Sequence, residues 1–305
     1  MVNLTSLNFW HMHISDLTPL EGHLNLSHIG LESHNSDLIP LIGQLAGLTN
    51  LTSLSLPQNQ ISDLTPLVGQ LAGITNLTSL NLWQNQISDI SPLSDLTNLA
   101  NLHLTGNQIN DISPISRLTN LTGLWLGWNQ ISDITPLSDL TNLTDLHLSS
   151  NQISDISLLS KFTNLRGLWL GWNQISDITP IIELINLEQL DLNGLQIDDA
   201  FDFSLLSGFP NLTLLHLSSN QISDITPLAT FTELTNLHLD GNQIIDITPL
   251  AGLTELTRLC LLNNPQISDI TILAGLTNLT SVCLSGDNIT DWSPVAHVEH
   301  VWGRP

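Results

Sequence analysis

Leucine returns along this chain in a fixed rhythm, L-x-x-L-x-L-x-x-N, followed by the more polar phrase Q-I-S-D-I-T-P-L. The opening leucine falls at Leu4, Leu26, Leu51, Leu77, Leu99, Leu121, Leu143, Leu165, Leu187, Leu212, Leu234, Leu256 and Leu279, thirteen times and mostly 22 residues apart. Inside each repeat the period changes. The L-x-L core alternates as a strand does when one face is buried. The I-S-D-I-T-P-L stretch sets Thr or Ser ahead of Pro, which suits the first position of a short helical turn. Each repeat therefore predicts one coil, with a strand on one side and a turn on the other. One coil buries too little to stand alone, so neighbours must stack and their strands must align in parallel, about 4.8 Å apart. The expected fold is an α/β solenoid, a curved right-handed superhelix with a parallel β-sheet on its concave face and 3-10 or irregular turns on its convex face. Residues 1–305 form a single domain of about 13 repeats in this reading.

Departures from the rhythm are local. Val68 to Gly73 and Gln44 to Gly47 lengthen two links, Asp198 to Gly208 enlarges the ninth repeat, and Pro265 is a single insertion. Asn59, Asn85, Asn107, Asn129, Asn151, Asn173, Asn220, Asn242 and Asn264 hold one register. An amide side chain there can satisfy backbone groups where the chain leaves the strand. Met12, His34 and Leu195 break this ladder and Asp287 replaces its last member, which predicts looser turns at those coils. The second repeat, around His28 to Ser36, is the most degenerate and is expected to be the least stable. Leu4, Leu7 and Phe9 begin the repeats at once, which predicts an uncapped or truncated N-terminus. The tail 291–305 abandons the rhythm; Trp292, Val295, Val298 and Val301 are expected to fold over the last coil as a partial C-terminal cap.

Charge narrows the partners. With 28 acidic and 5 basic residues the net charge is −23, which opposes binding to nucleic acid and to anionic membrane surfaces. Thirteen of those acids form a register of their own, from Asp16, Asp37 and Asp63 to Asp291. Calcium is one reading of such a row. Turn chemistry is the favoured one, each Asp accepting backbone N–H groups ahead of the outer turn. No apolar run is long enough for a membrane span, and no signal peptide is visible at the start. Two cysteines, Cys260 and Cys283, cannot staple so long a chain, and free thiols are expected on neighbouring strands. The N-x-T triplets are by-products of the repeated L-T-N-L-T phrase.

Repeats such as Leu77 to Leu93 (LTSLNLWQNQISDISPL) and Leu143 to Leu159 resemble the 22-residue leucine-rich repeats of bacterial internalins. The same repeat class occurs in the leucine-rich regulatory subunit of protein phosphatase 1. The resemblance covers nearly the whole chain and implies the leucine-rich repeat fold. It implies protein binding on the concave sheet, and it slightly favours an extracellular or cell-surface location. Internalins also have a helical cap and an immunoglobulin-like region, neither of which is readable here. Their concave aromatics differ, so no contact residue carries over.

The residue between the two strand leucines faces outward, and from the fifth repeat onward that column reads His103, Trp125, His147, Trp169, Asp191, His216, His238, Cys260, Cys283. Trp83 flanks it, and Trp128 and Trp172 open the loops that follow two strands. Gly123 to Asn129 (GLWLGWN) is repeated identically at Gly167 to Asn173, and the glycines are expected to leave each strand Trp ring uncovered. Trp125 and Trp169 should stand about 10 Å apart with His147 between them. Exposed Trp gives large contact area at low entropic cost. The predicted partner-binding residues are therefore Trp83, His103, Trp125, Trp128, His147, Trp169, Trp172, Asp191, His216 and His238. The plainer alternative is that the rings ladder against one another for stability. Beside an acidic surface the column histidines also suggest a switch between pH 5 and 8. Asp191, His216, His238 and Cys260 are chemically fit to hold zinc, but a straight row diverges from a tetrahedron, so no metal and no cofactor is expected. Nothing resembles a nucleophile elbow, a phosphate loop or a metalloprotease helix, so the chain is read as non-enzymatic. The expectation is a monomeric scaffold for a protein or peptide ligand, with glycan recognition or an architectural segment as the alternatives.

Overall fold

The computed structural model describes residues 4–10, 12, 25–32, 48–67, 74–285 and 288–304. His34, Asp16, Asp37, Asp287 and the links Gln44–Gly47 and Val68–Gly73 lie outside them. The chain divides into two compact units, Met1–Asn164 and Leu165–Pro305.

The first unit carries strands β1 (Ser6–Trp10), β2 (His28–Glu32), β3 (Ser53–Ser55), β4 (Ser79–Asn81), β5 (Asn101–His103), β6 (Gly123–Trp125) and β7 (Asp145–His147). Each pairs in parallel with the next in chain order, so that Leu80, Leu102, Leu124 and Leu146 share one register. The second unit repeats the plan with β8 (Gly167–Trp169), β9 (Gln189–Asp191), β10 (Leu214–His216), β11 (Asn236–His238), β12 (Arg258–Leu261), β13 (Ser281–Leu284) and β14 (His300–Trp302). Both units have the layout of a leucine-rich repeat solenoid. The strand leucines on the inner side, such as Leu102, Leu104, Leu124 and Leu126, are fully buried. Short 3-10 turns close the other side, for example Ser113–Arg117 and Thr226–Thr230, with Pro in their first turn. Proline suits that place because its missing N–H would go unbonded there anyway.

The count of coils differs from the sequence expectation. The C-terminal tail does not merely fold over the last repeat. It forms a 3-10 turn at Ser293–Val295 and a fourteenth strand, β14, parallel to β13. Val298 and Val301 take the places of the first two leucines and Gly303 that of the third. Val295 and Val298 are buried, and Trp292 is half-buried with its indole N–H donating to the Ile289 carbonyl at 3.2 Å. At the other end Leu4, Leu7 and Phe9 are half-buried.

Asparagine stitches the coils. The amide oxygen of Asn107 accepts from the Ile87 N–H of the coil before it at 3.0 Å, and its NH2 donates to the carbonyls of Leu82 and Leu104 at 3.0 and 2.9 Å. Asn85, Asn129, Asn151, Asn220, Asn242 and Asn264 do the same. A second row from the L-T-N-L phrase works similarly: Asn98, Asn120 and Asn142 donate to Thr75, Thr97 and Thr119 carbonyls at 2.8–2.9 Å. Where Leu195 replaces the ladder Asn, no amide oxygen is offered to the preceding coil. Beside it lies a cavity of about 530 Å³ lined by Ile175, Ile178, Leu195, Ile197 and Phe201 among others.

The acidic row is turn chemistry. Asp63, Asp89, Asp111, Asp133, Asp155, Asp177, Asp224, Asp246, Asp269 and Asp291 each accept the N–H two residues on, at 2.8–2.9 Å. Asp199 differs: in the enlarged ninth repeat it accepts from the next coil, from Ser223 and Asp224 N–H and the Ser223 hydroxyl. Asp198 and Asp202 take up the local turns instead.

Candidate binding surface

Among the described residues ten coils leave their strand through a left-handed residue just before the ladder position. In the first unit these are Gln58, Gln84, Gly106, Trp128 and Ser150, with φ between 51° and 72°. In the second they are Trp172, Gly194, Ser219, Gly241 and Asn263, with φ between 55° and 66°. The twist aims the N–H at the following coil: Gly106 donates to Gly127, and Trp128 to Ser149 at 2.8 Å. Glycine is at ease there, whereas an L residue pays for the crowding of its β-carbon. Two tryptophans occupy this position, and they stand out in solvent, Trp128 66% and Trp172 52% exposed.

In the first unit the column residues touch in sequence. The rings of Trp83 and His103 lie 6.4 Å apart and those of His103 and Trp125 5.7 Å, all tilted. Trp83, His103, Trp125 and His147 are half-buried. The glycines act otherwise than expected. Gly123 does not uncover the Trp125 ring but lies under it, since a β-carbon at Gly123 would stand 2.6 Å from Trp125 Cζ3. Gly127 makes room for the next coil, because a β-carbon there would meet His147 Nδ1 at 2.5 Å.

In the second unit Trp169 is half-buried on β8, and the Trp172 ring lies on Gly194, whose β-carbon would meet Cε3 at 2.5 Å. Asp191 departs from its expected role as a partner contact. It is only 6% exposed, its carboxylate accepts the Asn193 N–H at 2.9 Å, and Gly171 gives it space. That is a structural duty. The His216 and His238 rings lie 4.3 Å apart on β10 and β11, tilted 56° to each other. Beyond them Cys260 and Cys283 are register neighbours on β12 and β13, both free thiols.

Burial holds these histidines neutral. His103 is pushed down to about 4, first by desolvation and then by His147. His216 is also pushed down to about 4, by desolvation and then by His238, against the pull of Asp240. His238 is lowered chiefly by burial, so its 3.8 Å approach to Asp240 is a polar contact rather than an ion pair. A switch between pH 5 and 8 is therefore not carried by His103 or His216, which stay uncharged across that window. The Cys260 thiol is pushed well up by burial, by a hydrogen bond with Cys283 and by Asp240.

Sequence reasoning passed over Asp240. It lies off the central column, yet His238, Asp240 and Cys260 bring metal-binding atoms within 4.8 Å of one another. The signal was legible, since residues two apart on a strand share a face. The cavity beside Leu195 is lined by none of the column residues.

Comparison with known proteins follows the same lines. The family model described as Leucine Rich repeats (2 copies) matches residues 49–95, 75–117, 97–139, 119–161, 141–183, 210–252 and 232–275. The solved internalin InlF of Listeria monocytogenes is 36% identical, with a TM-score of 0.76, covering 98% of this chain and 86% of that one. Internalin C2 of the same bacterium is 33% identical, with a TM-score of 0.52 over 75% of this chain and 92% of that one. The plant peptide hormone receptor RGFR1, solved in complex with RGF2, is 23% identical with a TM-score of 0.62, covering 93% of this chain and 52% of the receptor; it shares the fold. Among curated proteins none matches in sequence. Among the described residues no helix is long and apolar enough to cross a membrane.

Proposed function

This chain belongs to the leucine-rich repeat family, and from that premise we propose that it is a non-catalytic scaffold taking a protein or peptide partner on its strand face through Trp and His side chains. Leucine-rich repeat proteins are as a class binding proteins rather than catalysts, which supports the first half. The RGFR1 complex shows a peptide held by a protein of this fold, but the choice of partner class here rests on this chain's own side chains.

One observation carries the reading. Trp128 and Trp172 sit at left-handed positions, φ 56° and 59°, where Gly, Gln, Ser and Asn serve other coils. A bulky residue in that region costs on the order of 1–2 kcal/mol, and with Trp128 66% and Trp172 52% exposed, burial of the ring offsets only part of it. A largely exposed indole at a turn that smaller or more polar residues fill in other coils points to a role outside the fold. An indole in solvent is also the side chain that most often dominates an interface. In the first unit Trp83, His103 and Trp125 form a row of touching rings. The net charge of −23 repels acidic partners and draws basic ones.

Exposed indole faces also stack on sugar rings, which keeps glycan recognition as the second reading. The two separate by experiment. The chain is panned against a displayed random-peptide library and, in parallel, applied to a glycan array. Enriched peptides that lose binding in Trp128→Gly and Trp125→Ser support the proposal. Sugar hits with no enriched peptide reverse the order of the two readings, and peptides indifferent to both substitutions remove the strand face from the account.

A further inference from the structure

We propose that His238, Asp240 and Cys260 form a three-ligand site for a zinc-class divalent cation on the strand face of the second unit. The argument is first one of donor chemistry. An imidazole nitrogen, a carboxylate oxygen and a thiol sulfur, all partly exposed, approach within 4.8 Å of one another. In a tetrahedral zinc site with bonds of about 2.0–2.3 Å the ligand atoms lie roughly 3.3–3.7 Å apart. The His238 Nδ1 to Asp240 Oδ2 distance of 3.8 Å is already close to that edge.

The objection raised by a straight row of ligands is met by the backbone. His238 and Cys260 are register partners on β11 and β12, and Asp240 returns to the same face two residues after His238. The three donors thus form a triangle instead of a line. The carboxylate is held in place: its Oδ1 accepts the Leu262 N–H at 2.9 Å and its Oδ2 the Ser218 hydroxyl at 3.1 Å. Such support is what orients a ligand before the ion arrives. The set is also not a by-product of the repeat. Corresponding pairs elsewhere in the second unit are Trp169 with Gly171, Asp191 with Asn193, and His216 with Ser218.

On binding, the Cys260 thiol gives its proton to solvent, the imidazole offers a lone pair, and the cation replaces the lost proton. Burial, the Cys283 hydrogen bond and Asp240 hold the free thiol protonated, so the cation itself must displace the proton. Three protein ligands leave one position for water or for a donor from a bound partner. Soft sulfur with nitrogen selects zinc or cobalt over calcium and magnesium, which the exposed aspartates of the turns would take only weakly.

The test uses the full chain, reduced and free of oxygen, titrated with cobalt(II) in an excess of magnesium. One equivalent should bind with a thiolate-to-cobalt charge-transfer band and tetrahedral visible bands, and zinc should displace it. Cys260→Ser should abolish the charge-transfer band. His238→Gln should weaken cobalt binding at least about tenfold. Metal-free melting curves matching the wild type establish that both variants are folded. Absence of the band in the wild-type chain overturns the proposal. So does a band that survives in Cys260→Ser, or an affinity that His238→Gln leaves unchanged.

Discussion

Replacing Trp128 by glycine removes a large side chain, and the geometry predicts almost no loss of stability. Its φ of 56° costs an L residue about 1–2 kcal/mol, and glycine releases that strain. Against this, glycine gives the unfolded chain more freedom, worth about 0.5–1 kcal/mol. The ring is 66% exposed, so a third of it is buried. At about 1.5–3 kcal/mol for a fully buried large side chain, that third contributes roughly 0.5–1 kcal/mol. The opposing amounts nearly cancel, leaving Trp128→Gly within about 1 kcal/mol of the wild type. Trp128→Ala keeps most of the strain and loses the ring, so it should be less stable than the glycine variant by about 1 kcal/mol. Urea unfolding followed by far-UV circular dichroism measures both, with equal slopes required before midpoints are compared. The reasoning is refuted if Trp128→Gly loses more than about 2 kcal/mol or falls below Trp128→Ala, since the indole would then be structural.

Other outcomes follow from the same geometry. Asn107→Leu orphans the Ile87 N–H and takes one of two amide donors from each of the Leu82 and Leu104 carbonyls, which keep Asn85 and Asn129; at about 1–3 kcal/mol for the orphaned buried group the loss should be at least about 1 kcal/mol, and an unchanged urea midpoint would contradict the stitching role. Acid should destabilise the fold in two stages. His103 and His216 fall from 6.5 to about 4 on folding, so the unfolded chain takes protons first and stability drops as pH falls from 6.5 towards 4. Asp63, Asp111, Asp133 and Asp155 are lowered from 3.8 by hydrogen bonds from the Thr or Ser two residues on, so their contribution is present above 3.8 and is lost below it. Melting temperature against pH checks this: His103→Gln should shrink the upper stage to the part His216 carries and leave the lower one unchanged, and a wild-type profile flat from 6.5 to 4 would contradict the burial argument.

Much of the fold was readable because each residue type in the repeat has one physical task. The leucines fix the strand register, Asn129 and its equivalents satisfy neighbouring backbone, and Asp133 and its equivalents close the turns. The fourteenth coil was missed because valine and glycine stand where leucine does elsewhere, at Val298, Val301 and Gly303. The candidate site was legible as a column but not as surfaces. Outward-facing residues were taken to be uncovered, whereas Trp125 lies down on Gly123 and Asp191 is drawn in to cap Asn193. The left-handed turn that lifts Trp128 and Trp172 into solvent has no residue signature, being met by Gln, Ser, Asn and Gly in other coils. Asp240 escaped notice because attention stayed on one residue per strand, although its neighbour two places earlier shares its face.

The central claim is that the outward Trp and His side chains bind a partner and do not serve the fold. Peptides selected on the wild-type chain should be titrated against Trp128→Gly and against Trp125→Ser by isothermal calorimetry, beside the unfolding curves of the same proteins. The account predicts for Trp128→Gly a loss of affinity of at least about 30-fold, the mark of a Trp interface anchor worth 2 kcal/mol, at nearly unchanged stability. Equal affinity with unchanged stability would contradict it.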